Sequence, residues 1–68
     1  MSSIMILNEI GQKKGLRVCY NFTQMEGKFK CFCEFGSLKS DYTSFSKKFA
    51  KDNAAKKMLE MLDLNENT

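Results

Sequence analysis

The chain has 68 residues, of which 43% are hydrophobic and six are Phe, a composition typical of one small domain with a core. A chain near the lower size limit for one hydrophobic core cannot also enclose a deep catalytic cleft. Its formal net charge is +3, which by itself does not indicate a nucleic-acid partner, and no apolar run is long enough for a membrane span or a signal peptide.

The first segment, "SSIMILNEIGQKKG", is predicted to be a helix. Ser2 or Ser3 can cap its start, and Gly15 after two lysines is a stop signal. The side chains expected to face the core are Ile4, Ile6, Leu7 and Ile10. A second stripe follows the spacing i, i+3, i+4, i+7 and should form one exposed surface: Met5, Asn8, Glu9 and Gln12.

The next stretch, "LRVCYNFTQMEGKFKCFCEF", is predicted to be a β-hairpin with a two-residue turn at Glu26-Gly27. That turn pairs Val18 with Phe35 and Met25 with Lys28. The register gives one face that is apolar at every position but Gln24: Val18, Tyr20, Phe22, Gln24, Phe29, Cys31, Cys33 and Phe35. A slip of one residue would mix the two faces, so the pattern is self-consistent.

A second turn at Gly36-Ser37 leads into a third strand, which is expected to run through roughly Tyr42 and to pair Lys39 with Glu34. Ser46 is expected to cap the last helix, whose buried stripe is Ala50, Ala54, Met58 and Leu62. The predicted fold is α+β, αβββα, with two helices packed on one face of a three-stranded antiparallel sheet. The domain is expected to span residues 3–64, and residues 65–68 to form a disordered tail.

Charge is concentrated in the last helix, where residues 47–57 contain five lysines and a single acid, Asp52. Lys47, Lys48 and Lys51 lie within an arc of about 100° at the helix start. Lysines at that positive end of the helix dipole cost stability. Together with unpaired backbone N–H groups, however, they form a site for phosphate oxygens. The alternative is a solvated polar face, as in most charge runs.

With the order αβββα, the segments "LNEIGQKKG" and "SKKFAKDNAAKKMLEML" resemble the double-stranded RNA-binding domain, over about residues 3–62. The most specific part is the pattern Ser-Lys-Lys-x-Ala-Lys followed by Ala-Ala, which consists here of Ser46, Lys47, Lys48, Ala50, Lys51, Ala54 and Ala55. The resemblance implies a non-catalytic domain that binds A-form RNA largely without regard to sequence.

The resemblance also implies roles for particular residues. Lys47, Lys48 and Lys51 would bind phosphates across the major groove, and the stripe of Met5, Asn8, Glu9 and Gln12 would enter a minor groove and meet 2′-hydroxyls. Glu9 would accept a hydrogen bond from a 2′-hydroxyl, or else be an ordinary solvated residue. Met5 would contact a base edge, or else cover the core.

The chain departs from the family pattern in its first hairpin. The Pro-x-His motif is missing, and Gly27 is followed directly by Lys28 and the strand, so the loop is about five residues shorter than in a full module with its footprint of about 16 bp. "YTS" at residues 42–44 replaces the usual Gly-x-Gly. We expect a shorter footprint and weaker binding, with Lys28 or Lys30 as possible loop contacts.

The short loop also raises an alternative, in which the same fold serves mainly for dimerisation or for docking in an RNA-processing complex. Phe32, predicted on the sheet face away from the helices, is the candidate protein contact. Phe45 and Phe49 flank the lysines and either anchor the helix start to the core, which is the favoured expectation, or contact a partner. The resemblance is compatible with RNA processing or RNA silencing, and with a binding module of a larger RNA-processing enzyme.

The three cysteines do not form a predicted metal site or disulfide framework. The register buries Cys31 and Cys33 and turns Cys19 to the other face, and the chain has no His to complete a zinc site. Reduced thiols are expected in an intracellular protein of the cytoplasm or nucleus. We expect no cofactor, no catalytic residue and no small-molecule substrate, because general-base, phosphate-loop and carboxylate motifs are missing.

Overall fold

The structure, a computed structural model, describes the backbone of residues 2–66 and the side chains of residues 2–63. Its elements in chain order are α1 (Ser3–Lys14), β1 (Val18–Met25), β2 (Lys28–Phe35), β3 (Leu38–Ser44) and α2 (Lys47–Glu66). The predicted αβββα order is confirmed. Helix α2 includes the first two residues of the predicted tail, and residues 67 and 68 lie outside the described part of the chain. No helix of residues 2–66 is long and apolar enough to span a membrane.

The three strands form one antiparallel sheet in the order β1-β2-β3. The hairpin has the predicted register from Val18↔Phe35 to Met25↔Lys28. Its turn has positive φ at both residues, 53° at Glu26 and 78° at Gly27. This is the backbone that matches the twist of the flanking strands. Strands β1 and β2 are therefore joined by a turn of only two residues.

Strand β3 pairs with β2 from Leu38↔Phe35 to Ser44↔Phe29, and the predicted Glu34↔Lys39 pair is confirmed. The strand ends two residues later than Tyr42 because β2 still offers Lys30 and Phe29 as partners. Both strands thus reach the end of the sheet where α2 begins.

The helices cover one face of the sheet. Helix α2 packs on β2 and β3, and α1 packs chiefly on α2. The buried residues of the core are Leu7, Cys31, Cys33, Phe35, Ala50, Ala54, Ala55, Met58 and Leu62. Small alanines bring α2 close to the sheet, where the buried Ser40 hydroxyl donates a 2.7 Å hydrogen bond to the Ala54 carbonyl. This bond attaches the middle of α2 to β3.

The expectation that Phe45 and Phe49 pack on the core is wrong. Phe45 is 73% exposed and Phe49 is 52% exposed. Phe45 lies beyond the end of β3, past the last sheet pair. Phe49 lies nine residues before the buried Met58, which places it about 180° away around the helix. Its ring lies 6.1 Å from the ring of Tyr42, measured between centroids.

Candidate nucleic-acid interface

The predicted polar stripe of α1 is fully formed on its solvent side. The Ser2 hydroxyl caps the helix by accepting from the Met5 amide at 3.2 Å. Burial of Leu7 sets the rotation of the helix about its axis. The residues left exposed are Met5, Asn8, Glu9 and Gln12. Met5 is 54% exposed, so it does not mainly cover the core.

An open groove of about 420 Å³ lies beside this stripe. Asn8 and Gln12 line one side, and Leu16 and Arg17, in the connection from α1 to β1, line the other. Two amides and a guanidinium at one groove can bond ribose hydroxyls and phosphate oxygens. The sequence analysis did not identify Arg17 as a candidate binding residue. In the sequence it is only an isolated cation two residues after Gly15, the residue that ends the helix.

The start of α2 presents the geometry of an anion site. The Ser46 hydroxyl accepts from the Phe49 amide at 3.2 Å, and the Ser46 carbonyl accepts from the Ala50 amide at 3.0 Å. The amides of Lys47 and Lys48, at the first two helical positions, have no intrahelical acceptor. No acidic residue lies in the first turn. The positive end of the helix dipole thus adds to the lysine charges.

The structure separates the three lysines into two kinds. The Lys47 ammonium lies 4.7 Å from the centre of the Phe22 ring, and the Lys51 ammonium lies 4.7 Å from the centre of the Tyr20 ring. Both distances are within the range of cation–π attraction. Lys48 is exposed and belongs to none of the ring pairs found among the described residues. Two of the three lysines predicted to bind phosphate therefore have their ammonium groups over aromatic rings of β1.

The groups beneath these lysines stay neutral. The pKa of Tyr20 is raised well above its usual range, first by burial and then by the nearby Cys33 and Cys31 thiols. Burial raises the pKa of Cys33 to about 11. Burial also raises the pKa of Cys31, which the Lys51 charge partly offsets. The rings and thiols directly beneath the two lysines are thus neutral, and the nearby Asp52 carboxylate adds to the rise in the pKa of Tyr20.

The cysteines are free, with Cys31 and Cys33 buried and Cys19 exposed, as the register predicted. Within residues 2–66, no group of three or more His, Cys, Asp or Glu side chains could hold a metal ion. The buried thiols act as small apolar side chains of the core.

The remaining candidates are Lys28, Lys30 and Phe32. The Lys28 ammonium lies 5.2 Å from the centre of the Phe45 ring, and so lies near the start of α2. Lys30 instead lies over Phe32, at 5.1 Å, on the sheet face away from the helices. Phe32 is half-buried rather than exposed. The alternation of β2 thus puts both lysines on the sheet face away from the helices, with Lys28 at the end of the strand beside Phe45.

A comparison with protein-family models matches residues 3–62 to the double-stranded RNA binding motif, which is a binding domain and not a catalytic one. No curated protein matches the chain. The match covers α1, all three strands and α2 as far as residue 62, including the lysines at its start. The chain therefore belongs to the double-stranded RNA-binding motif family.

Proposed function

We propose that the chain recognises the A-form shape of duplex RNA, largely without regard to base sequence. Lys47, Lys48 and Lys51 bind phosphates on the two sides of the major groove. The α1 stripe of Met5, Asn8, Glu9 and Gln12 lies in a minor groove, where the Glu9 carboxylate accepts from a 2′-hydroxyl. DNA lacks this hydroxyl, so Glu9 would oppose DNA binding.

The single observation that carries this proposal is the start of α2. Three lysines surround a capped helix end that has no acid in its first turn and two amides without intrahelical acceptors. This arrangement costs stability unless an anion occupies the site. Phosphate contacts fix position and affinity but carry no base information, which agrees with recognition by shape.

The footprint is proposed to be shorter than the roughly 16 bp of a full module. Support comes from the Glu26-Gly27 turn, whose two residues are too few to reach into a second minor groove. Lys28, held beside Phe45 near the start of α2, is the residue best placed to supply a phosphate contact from this end. Lys30, on the same face of the sheet, contributes less because it lies two residues further along β2 from the turn.

The test compares two double variants of the same helix. Lys47→Ala with Lys48→Ala removes the site, and Lys56→Ala with Lys57→Ala removes the same charge further along α2. Lys57 donates an exposed 2.9 Å hydrogen bond to the Asp41 carbonyl, and loss of this surface contact should leave the fold intact. The first variant should bind several unrelated duplex RNAs more weakly by a similar factor, and the second should bind nearly as tightly as the unchanged chain. Equal affinities for the two variants would overturn the proposal.

A second candidate function is docking on a protein or on a second copy of the chain within an RNA-processing complex. The exposed apolar side chains at the hairpin end favour it, since Met25 is 74% exposed and Phe45 is 73% exposed. Sedimentation equilibrium of the isolated chain, with and without duplex RNA, separates the two. A dimer that forms without RNA, together with no RNA affinity, would support the second candidate.

The proposed location of the protein is inside the cell, in the cytoplasm or nucleus. The three free cysteines support it, because thiols stay reduced in those compartments.

A further inference from the structure

The buried stripe of α2 continues into its lysines. Counting back from Met58 by four, three and four residues gives Ala54, Lys51 and Lys47, so all four lie on one side of the helix. Ala54 and Met58 are fully buried against the sheet. Lys51 is half-buried and Lys47 is exposed at the helix end. The lysines therefore extend along the sheet and do not project straight into solvent.

Strand β1 carries two rings that match the two lysines in spacing. Tyr20 and Phe22 are two residues apart on the core-facing side of the strand, about 7 Å along its axis. Lys47 and Lys51 are four residues apart, about 6 Å along α2. Because the two spacings agree, each ammonium lies over a different ring: Lys47 over Phe22 and Lys51 over Tyr20, both at 4.7 Å from the ring centre.

We propose that Phe22 and Tyr20 are positioning residues for RNA binding, which hold the Lys47 and Lys51 ammonium groups in place before the duplex arrives. The inference rests on the phosphate-binding role proposed above for these lysines. A lysine loses its rotamer freedom when it binds phosphate, and that loss weakens binding. A ring that already restricts the side chain lessens the loss.

The ring does not compete with the phosphate for the lysine. An ammonium has three N–H donors, and the ring attracts its charge from one side only, which leaves donors on the other side for phosphate oxygens. A neutral ring also leaves the positive charge intact, whereas a carboxylate in the same place would cancel it. Lys48 has no ring beneath it, so it binds without this assistance and serves as an internal control.

The experiment is a double-mutant cycle, with the affinity for one duplex RNA as its readout. Phe22→Leu keeps an apolar side chain on β1 but removes the ring. In the unchanged chain it should weaken binding about two- to tenfold, the cost of ordering one long side chain. In a Lys47→Ala background Phe22→Leu should have no further effect, and in a Lys48→Ala background it should have its full effect. A purely structural role would weaken binding equally in both backgrounds and would overturn the proposal.

Two further measurements keep the test independent of the stability of that variant. Phe22→Trp supplies a stronger cation–π partner and should retain or improve the affinity, and a loss as large as that of Phe22→Leu would contradict a role for the ring. In the unchanged chain, NMR should show the ε-methylene protons of Lys47 and Lys51 shifted upfield by ring currents, with those of Lys48 unshifted. Unshifted resonances for Lys47 and Lys51 would refute the arrangement without any substitution.

The failures of the two proposals can be told apart. If Lys47→Ala with Lys48→Ala leaves RNA affinity unchanged, the phosphate-binding role itself fails. If that variant binds weakly but Phe22→Leu does not weaken binding in the Lys48→Ala background, only the positioning role fails.

Discussion

Removal of two lysines at the start of α2 should flatten the salt dependence of RNA binding by a calculable amount. Each phosphate that a protein neutralises on a duplex contributes about −0.9 to the slope of log K against log salt concentration. The proposed site has three such lysines, and Lys47→Ala with Lys48→Ala leaves only Lys51. The slope should therefore become less steep by about 1.8.

This change has a direct consequence for measured affinities. Between about 50 mM and about 200 mM salt, the ratio of unchanged to variant affinity should shrink about 12-fold. Contacts from α1 and the hairpin affect both proteins equally and drop out of that ratio. Fluorescence anisotropy of a labelled duplex RNA, titrated at several salt concentrations, measures both slopes.

The matched control is Lys56→Ala with Lys57→Ala. Lys56 lies eight residues beyond Lys48, about 12 Å along the helix. Neither Lys56 nor Lys57 is proposed to neutralise a phosphate, so the slope should stay close to that of the unchanged chain. Parallel salt plots for the unchanged chain and the Lys47→Ala, Lys48→Ala variant would refute the reasoning, because these lysines would then release no counterions.

Three further predictions concern stability, measured by chemical denaturation. Gly11→Ala should lower the free energy of unfolding, because the new Cβ would lie 2.7 Å from the Leu16 carbonyl oxygen. Such overpacking costs about 1–3 kcal/mol, which exceeds the gain of about 1 kcal/mol from the higher helix propensity of Ala. A variant more stable than the unchanged chain would contradict this. Tyr20→Phe should raise the free energy of unfolding by up to about 1 kcal/mol, because it removes a buried hydroxyl that has the weakly bonding Cys33 thiol beside it and no oxygen or nitrogen partner among the described residues. A loss of stability would show that the thiol satisfies the hydroxyl. Since burial raises the pKa of Cys33 from 9.0 to about 11, the folded protein holds that proton more tightly, so stability should be full below pH 9.0 and fall as the pH rises toward 11. The fall should be smaller in Cys33→Ala, and an equal fall would assign it to other groups.

Local pattern was sufficient to predict the sheet. A strand with one buried face admits a single register, because a slip of one residue would put Cys31 and Cys33 in solvent and Lys30 in the core. The Glu26-Gly27 turn and the Ser46 cap are likewise decided within four residues of chain. These features therefore need no knowledge of how the helices lie on the sheet.

The relation of α2 to β1 was not predicted. It depends on how the helix crosses the sheet, which the small Ala50 and Ala54 side chains and the Ser40 hydrogen bond to α2 determine. Sequence reasoning identified Lys47 and Lys51 as one charged cluster with Lys48. It could not see that two of the three lysines reach rings on a strand more than 24 residues earlier.

The exposed position of Phe49 was also missed, for a different reason. Its hydrophobicity suggested a place in the core, yet the helical period puts it about 180° from Met58. For Phe49 the helical period therefore predicted exposure correctly, whereas its hydrophobicity did not. Phe45 offered no such signal, since it lies in the irregular connection between β3 and α2.

The most direct test of shape recognition is one duplex sequence of about 20 bp, longer than a full footprint, made as RNA and again as DNA. Binding of each should be titrated at about 50 mM and about 200 mM salt. The proposed function predicts tighter binding to the RNA duplex at both concentrations, with a loss of affinity as salt rises. Equal affinity for RNA and DNA would contradict it, because the chain would then detect only phosphate charge.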